Sequence, residues 1–216
     1  MDDLAKRKLD NFFGNFKKHN FRAKEIVIRA DEDPQGIFYL TGGMVKMYAI
    51  SARGEELVIN IFRPVSFFPM AWVLNNSISH YYFEAVSPVT AWKAPKEEFL
   101  KFIKNEPEIL FDLVKRIYAG LEGYFSRMEY LMSGSARSKL IMEILISAKR
   151  FGKKEGDAVT VDLKLTEKDL ASQSGMTRET VSREISKLKE KGILTYQKNI
   201  LVIKDLYKLE SELASD

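Results

Sequence analysis

The sequence predicts an α+β protein in three parts: an N-terminal β sandwich or roll, a long central helix that pairs two copies, and a C-terminal winged helix-turn-helix. Three observations carry that expectation. Short runs of alternating hydrophobicity, separated by turn dipeptides, fill residues 25–95. Apolar residues then recur at 4-3 spacing from 110 to 131, and residues 165–203 hold two capped amphipathic helices followed by a strand pair.

Taken in order, Leu4 to His19 reads as one or two short amphipathic helices, with Leu4, Leu9, Phe12, Phe13 and Phe16 on the buried side. The runs EIVIRA, GIFYLTGGMVKMYAI, EELVINIFR, YYFEAV and VTAWKAP are rich in β-branched and aromatic residues, and Asp33-Pro34, Gly42-Gly43, Arg53-Gly54 and Ser87-Pro88 supply turns between them. Closely spaced short strands of this kind pack as a sandwich or roll. Next, Leu110, Val114, Ile117, Leu121, Tyr124, Met128 and Leu131 form a coiled-coil seam, beside which Phe111, Tyr118, Phe125 and Met132 make a second row. A simple core helix needs one stripe. Two imply that one row faces a twin helix in a homodimer while the other packs on the β-roll. Gly120 and Gly123 each cost about 1 kcal/mol against alanine in a helix interior, which a close helix approach or a local kink would explain. Ser133-Gly134-Ser135 breaks the pattern as a hinge. A helix from Lys139 to Phe151 follows, with Leu140, Ile141, Ile144, Leu145 and Ala148 inward, then KKEGDA as a charged turn.

The segment LTEKDLASQSGMTRETVSREISKLKEKGIL holds the helix-turn-helix. Thr166 and Asp169 form a capping box, Leu170 and Ala171 face inward, and Gly175 makes the tight turn. Thr177 caps the second helix, whose apolar positions Val181, Ile185 and Leu188 leave Arg178, Glu179, Ser182, Arg183, Ser186 and Lys187 outside. A helix in the DNA major groove touches base edges mainly with its N-terminal residues. Arginine matches O6 and N7 of guanine with two donors, glutamate accepts from N4 of cytosine, and Ser182 can bond a base or a phosphate. Glu179 and Arg183, four apart, can also fix each other's rotamers. Gly192 then ends the helix, Ile193–Tyr196 and Ile200–Ile203 pair as a wing, and Lys198 at its tip, with Lys189 and Lys191, would touch phosphates. A last helix runs from Leu206 to Leu213.

Composition excludes several classes. The 216 residues suffice for one or two domains, and the net charge of +4 lies mostly in the half that carries the motif. Without cysteine there is no disulfide, thiolate-held cluster or cysteine redox switch. No apolar run approaches the ~20 residues of a membrane span and the N-terminus lacks a signal-peptide core, so a cytoplasmic, non-membrane protein is expected. Two histidines, no nucleotide-binding glycine loop and no clustered metal ligands offer no catalytic constellation, so the chain is not expected to be an enzyme.

TRETVSREISKLKEKGIL, preceded by LTEKDLASQSG, closely resembles the DNA-reading segment of the Crp/Fnr family of bacterial transcription regulators. The resemblance implies that Arg178, Glu179, Ser182 and Arg183 read a half-site containing TGA, within an inverted repeat of double-stranded DNA bound by a homodimer. Glu184 departs from the family, which usually places a small or apolar residue there. Residues 21–110 resemble the family's cyclic-nucleotide-binding sensor, a double-stranded β-helix of jelly-roll or cupin type. The implied domains are a sensor over 1–106, a dimerisation helix and hinge over 107–134, and a winged helix over 135–216.

In the sensor the family's ligand cassette is altered. Pro69 and Met70 stand at the usual glycine-glutamate pair, and His80 and Tyr81 at the usual arginine and small hydroxyl residue. Pro69 removes a backbone donor from a site that must hold a phosphate, so cAMP or cGMP binding of the usual kind is not expected. Asp31 and Val65 likewise replace turn glycines. Phe68, Met70, Trp72, His80, Tyr81 and Tyr82, with Tyr124 from the central helix, leave two readings open: a pocket for a small apolar or aromatic effector, or a core that has filled the vacated site. No cofactor is expected. Haem on His80 is an option drawn from relatives, against an ordinary hydrogen-bonded histidine. An activator would also contact RNA polymerase; the alternative is a β-roll signalling module that acts through protein partners without DNA.

Overall fold

The computed structural model describes residues 3–52, 54, 56–197 and 200–213. The chain divides into two compact units, the first ending at Ile117 and the second beginning at Tyr118. In the first, α1 (Asp3–Phe13) buries Ala5, Leu9 and Phe13. It ends at Gly14, whose N–H donates to the Asp10 carbonyl at 2.9 Å, in a position where a side chain would collide with that oxygen. The expected helix through His19 is therefore too long: its last residues belong to β1 (Lys17–Phe21).

The strands β2 (Ile26–Ile28), β3 (Ile37–Gly42), β4 (Val45–Ile50), β5 (Glu56–Phe62) and β6 (Ser66–Phe68) follow, then a short helix α2 (Met70–Asn75), β7 (Tyr82–Ala85) and β8 (Val89–Ala94). They form two antiparallel sheets, ordered β1-β8-β3-β6 and β2-β7-β4-β5. Gly43, at φ +79°, lets β3 turn into β4 where any Cβ would lie 2.2 Å from the Pro88 carbonyl. Asp31 (φ 62°) and Val65 (φ 71°) make left-handed turns without glycine. For a β-branched residue such as Val65 that conformation costs roughly 1–3 kcal/mol. The turn is fixed on both sides, since the Val65 N–H donates to the Leu40 carbonyl and Arg116 donates to the Val65 carbonyl.

Two cores flank β3. Phe38 and Leu40 meet Val45, Phe68, Phe83 and Ala91 between the sheets. Ile37 and Tyr39, on the opposite face by strand alternation, pack against Leu9, Phe13, Phe99, Ile103 and Ile109. Burial on both faces explains why IFYL reads as a continuous apolar run. The residues Phe99 and Ile103 come from α3 (Lys96–Asn105), a helix absent from the sequence expectation. Its cues were present: Pro95 before the first residue, and Glu97 and Glu98 in the first turn, where the helix dipole favours acid.

Helix α4 (Pro107–Ser133) carries the heptad rows. The expectation that one row packs on the β-roll is overturned. Within the first unit Leu110, Phe111, Val114 and Ile117 stay 39–61 % exposed, and the residues buried against the roll are Ile109 and Leu113. Each of these precedes a seam position by one residue, so α4 presents three apolar rows, of which the innermost is short.

In the second unit α5 (Ala136–Phe151) begins three residues before the expected Lys139, because Ser135 caps it by accepting from the Ser138 N–H. Glu143 of α5 is 1 % exposed and paired with Arg127 of α4, whose Nη2 donates to it at 2.7 Å. The expected charged turn KKEGDA is instead a hairpin, β9 (Gly152–Glu155) and β10 (Ala158–Lys164), turning on Gly156 at φ +64°. Helices α6 (Glu167–Ser174) and α7 (Arg178–Glu190) follow, then β11 (Leu194–Gln197), β12 (Ile200–Ile203) and α8 (Leu206–Ser211), which ends two residues before the expected Leu213. The strands assemble in the order β11-β12-β10-β9. The wing thus extends a sheet whose other half the charged, alternating residues of 152–164 concealed. Among the described residues no helix is long and apolar enough to cross a membrane.

Candidate nucleic-acid interface

The helix-turn-helix is set by local hydrogen bonds. Asp169 accepts from the Thr166 N–H at 2.8 Å while Thr166 Oγ1 accepts from the Asp169 N–H at 3.2 Å, completing the capping box. Leu170, Ala171 and Ser174 are buried, and the Ser174 hydroxyl is satisfied by donating to the Leu170 carbonyl at 2.6 Å. Gly175 at φ 64° turns the chain, and the Met176 N–H returns to the Ala171 carbonyl. Thr177 then accepts from the Thr180 N–H, so α7 starts with its orphan donors partly capped.

Val181, Ile185 and Leu188 are buried, as their spacing predicts. Glu184, the departure from the family pattern, is also buried and neutralised by Lys187 at 2.6 Å on the next turn. What faces outward is the polar set: Arg178, Glu179, Ser182, Arg183 and Ser186, joined by Glu167 of α6, line an open depression of about 360 Å³. Sequence reasoning missed Glu167, although its place in the first turn of the helix that crosses α7 was a usable signal. The proposed Glu179–Arg183 brace is not the arrangement found. Glu179 turns to the helix start, where its own backbone N–H, then the Thr177 side chain, hold its carboxyl below the usual range.

The lysines divide. Lys191 is tied to Glu212 at 2.9 Å, which also pairs with Arg137, and Lys189 lies 5.2 Å over the Tyr196 ring. Lys198, expected at the wing tip, lies outside the described residues.

The aromatic candidates of the β-roll do not converge. Phe68 is fully buried between the sheets, stacked on Phe83 at 5.2 Å and on Phe38 at 6.0 Å. Met70 and Trp72 pack against the other core, with Lys96 over the Trp72 ring. Tyr82 stacks on Tyr48 at 5.3 Å, Tyr81 is half-exposed, and Tyr124 belongs to the second unit. His80 Nδ1 lies 2.5 Å from Asp31 with its side chain 85 % exposed. The ring is thus exposed at the surface with no apolar pocket enclosing it, which gives a buried haem nowhere to sit beside it.

A β-roll joined to a winged helix-turn-helix with an outward, polar second helix defines a class of DNA-binding regulators. Comparison with known proteins agrees for each part: residues 18–106 match the cyclic nucleotide-binding domain and residues 138–212 the Crp-like helix-turn-helix domain. The chain is 26 % identical over 185 residues to the global nitrogen regulator of Nostoc sp., covering 85 % of this chain and 83 % of that one. It is 28 % identical over 173 residues to the transcriptional activatory protein AadR of Rhodopseudomonas palustris, covering 79 % and 70 %. Among solved structures, a CooA variant from Carboxydothermus hydrogenoformans has the same fold, with a TM-score of 0.80 at 21 % identity over 94 % of this chain and 90 % of that one. The chain belongs to the Crp/Fnr family. It is a DNA-binding transcription regulator, not an enzyme.

Proposed function

We propose that the protein acts as a cytoplasmic homodimer paired along Leu110, Val114, Ile117, Leu121, Tyr124, Met128 and Leu131 of α4. Two α7 helices related by a twofold axis read an inverted repeat with TGA-containing half-sites, their centres ~34 Å apart. Arg178, Glu179, Ser182 and Arg183 contact bases, while Thr177, Ser186, Lys187 and Lys198 contact the backbone. Residues 1–106 form the sensor, 107–134 the dimerisation helix and hinge, and 135–216 the reading domain. A signal other than cAMP, received by the sensor, shifts the population between reading and non-reading dimers. When it activates, the dimer also contacts RNA polymerase.

The observation that carries this reading is the outward polar set at the start of α7, held over a buried apolar flank. Pairing is supported by the seam, whose seven side chains remain 37–55 % exposed in the single chain, an apolar stripe that water disfavours. Native mass spectrometry of protein from its own host, followed by selection of bound sequences from random DNA, tests it. A dimer that selects an inverted TGA repeat is expected. A monomer, or bound DNA without a twofold consensus, would sink the reading.

A further inference from the structure

Glu167 is the first residue of α6, beside the capping box. Its carboxylate lies 4.0 Å from Nε of Arg178, the first residue of α7, and it is only 25 % exposed where Arg178 is 71 % exposed. An acid is costly on a surface that meets DNA, because phosphate attraction dominates binding there and a carboxylate opposes it. The helix dipole does not require it, since Asp169 already puts a negative charge in the same turn. Asp169 is occupied by both the N–H and the hydroxyl of Thr166, whereas Glu167 faces the arginine. Tyr196 has a buried hydroxyl with no hydrogen-bond partner, and its pKa is pushed up by burial and then by Glu167 and Asp169. Glu167 therefore stands beside the Arg178 guanidinium, in the wall of the depression that the reading residues share.

We propose that Glu167 is a positioning residue for base recognition: it restricts the Arg178 guanidinium over the start of α7, so that the arginine meets its base pair already oriented. A long side chain already held near a carboxylate loses less freedom on contact, and its planar fork then distinguishes guanine from other bases more sharply. At 4.0 Å and in partial contact with water the pair adds little to folding stability, which puts its effect in recognition. The proposal rests on α7 being the reading helix.

The test uses the full-length protein and the consensus it selects from random DNA, with every single-base variant of one half-site. Affinities are measured for wild type, Glu167→Gln, Arg178→Ala and the double variant, and unfolding midpoints confirm that each is folded. Arg178→Ala identifies the base pair that Arg178 reads. Glu167→Gln is expected to lower discrimination at that pair about tenfold, to leave the other positions within about twofold, and to add nothing once Arg178 is alanine. Glu167→Asp, which keeps the charge, should recover part of the loss. If Glu167→Gln instead tightens binding to every sequence by one factor, the carboxylate only repels phosphate and the proposal is overturned. It is equally overturned if the loss persists in the Arg178→Ala background. If Arg178→Ala changes no base preference, it is the reading of Arg178 as a base contact that fails, and the proposal falls with it.

Discussion

The phenylalanines between the two sheets and the arginines of α7 are opposite uses of large side chains. Phe38, Phe62, Phe68 and Phe83 stack on one another at 5.0–6.0 Å, each satisfying the next, so the space is closed by the residues that line it. Arg178 and Arg183 are held by a capped helix over a buried flank, where they line an open depression. The sheet interior gains its free energy within the chain. The α7 surface leaves its own to be realised against a second molecule.

Substitutions separate the two. Phe68→Ala should have the largest effect, lowering unfolding free energy by about 4 kcal/mol in urea titration through lost burial and a cavity. A loss below about 1 kcal/mol would mean the stack is loose enough to admit a ligand. Arg127→Ala extends the contrast to a charge turned inward. Removing it strands the Glu143 carboxylate and should cost about 3 kcal/mol. Burial already pushes the Glu143 carboxyl up from its ordinary value of 4.5, with Arg127 pulling it only partly back. The folded chain therefore holds that proton more tightly than the unfolded one, so this stabilisation is complete below pH 4.5 and fades as pH rises through the raised value. Stability measured across that window should fall more steeply in Arg127→Ala than in wild type, whereas Arg127→Met combined with Glu143→Leu should flatten the slope.

Arg183→Ala should leave the melting curve in place and cost about 2 kcal/mol of affinity at its own base pair alone. A uniform loss across all sequences would instead assign Arg183 to phosphate. Thr166→Ala, the smallest effect, should remove about 1 kcal/mol of stability by opening the capping box, with base preference unchanged.

The sequence disclosed the parts whose chemistry is local. Caps at Thr166 and Thr177, the turn at Gly175 and the apolar flank of α7 depend on residues within one or two turns of each other. The replaced turn glycines were also visible, and Asp31 and Val65 do adopt the left-handed conformation. What stayed hidden depends on distant partners. Nothing local says that Ile109 and Leu113, rather than Leu110 and Val114, meet the roll, because all four are apolar at helical spacing. The β9–β10 hairpin was masked by its polar edge strand, exposed at every residue. The aromatic run at 67–83 could not be sorted into core and pocket from sequence, since its members face different sides of a sheet whose pairing had to be known first.

The ion pair of Arg127 with Glu143 also decides where the chain can be cut. The break at Gly134 is where a protein chemist would trim the reading domain, yet a fragment starting there loses Arg127 and leaves a carboxylate stranded in its interior. It also loses Leu131, whose methyl reaches to 4.0 Å from where a Cβ on Gly175 would sit, against the turn itself. A fragment starting at Tyr118 keeps both. Limited proteolysis should accordingly yield a resistant C-terminal piece that includes the last four turns of α4, and the piece trimmed to Gly134 should be digested as though it had no tertiary structure.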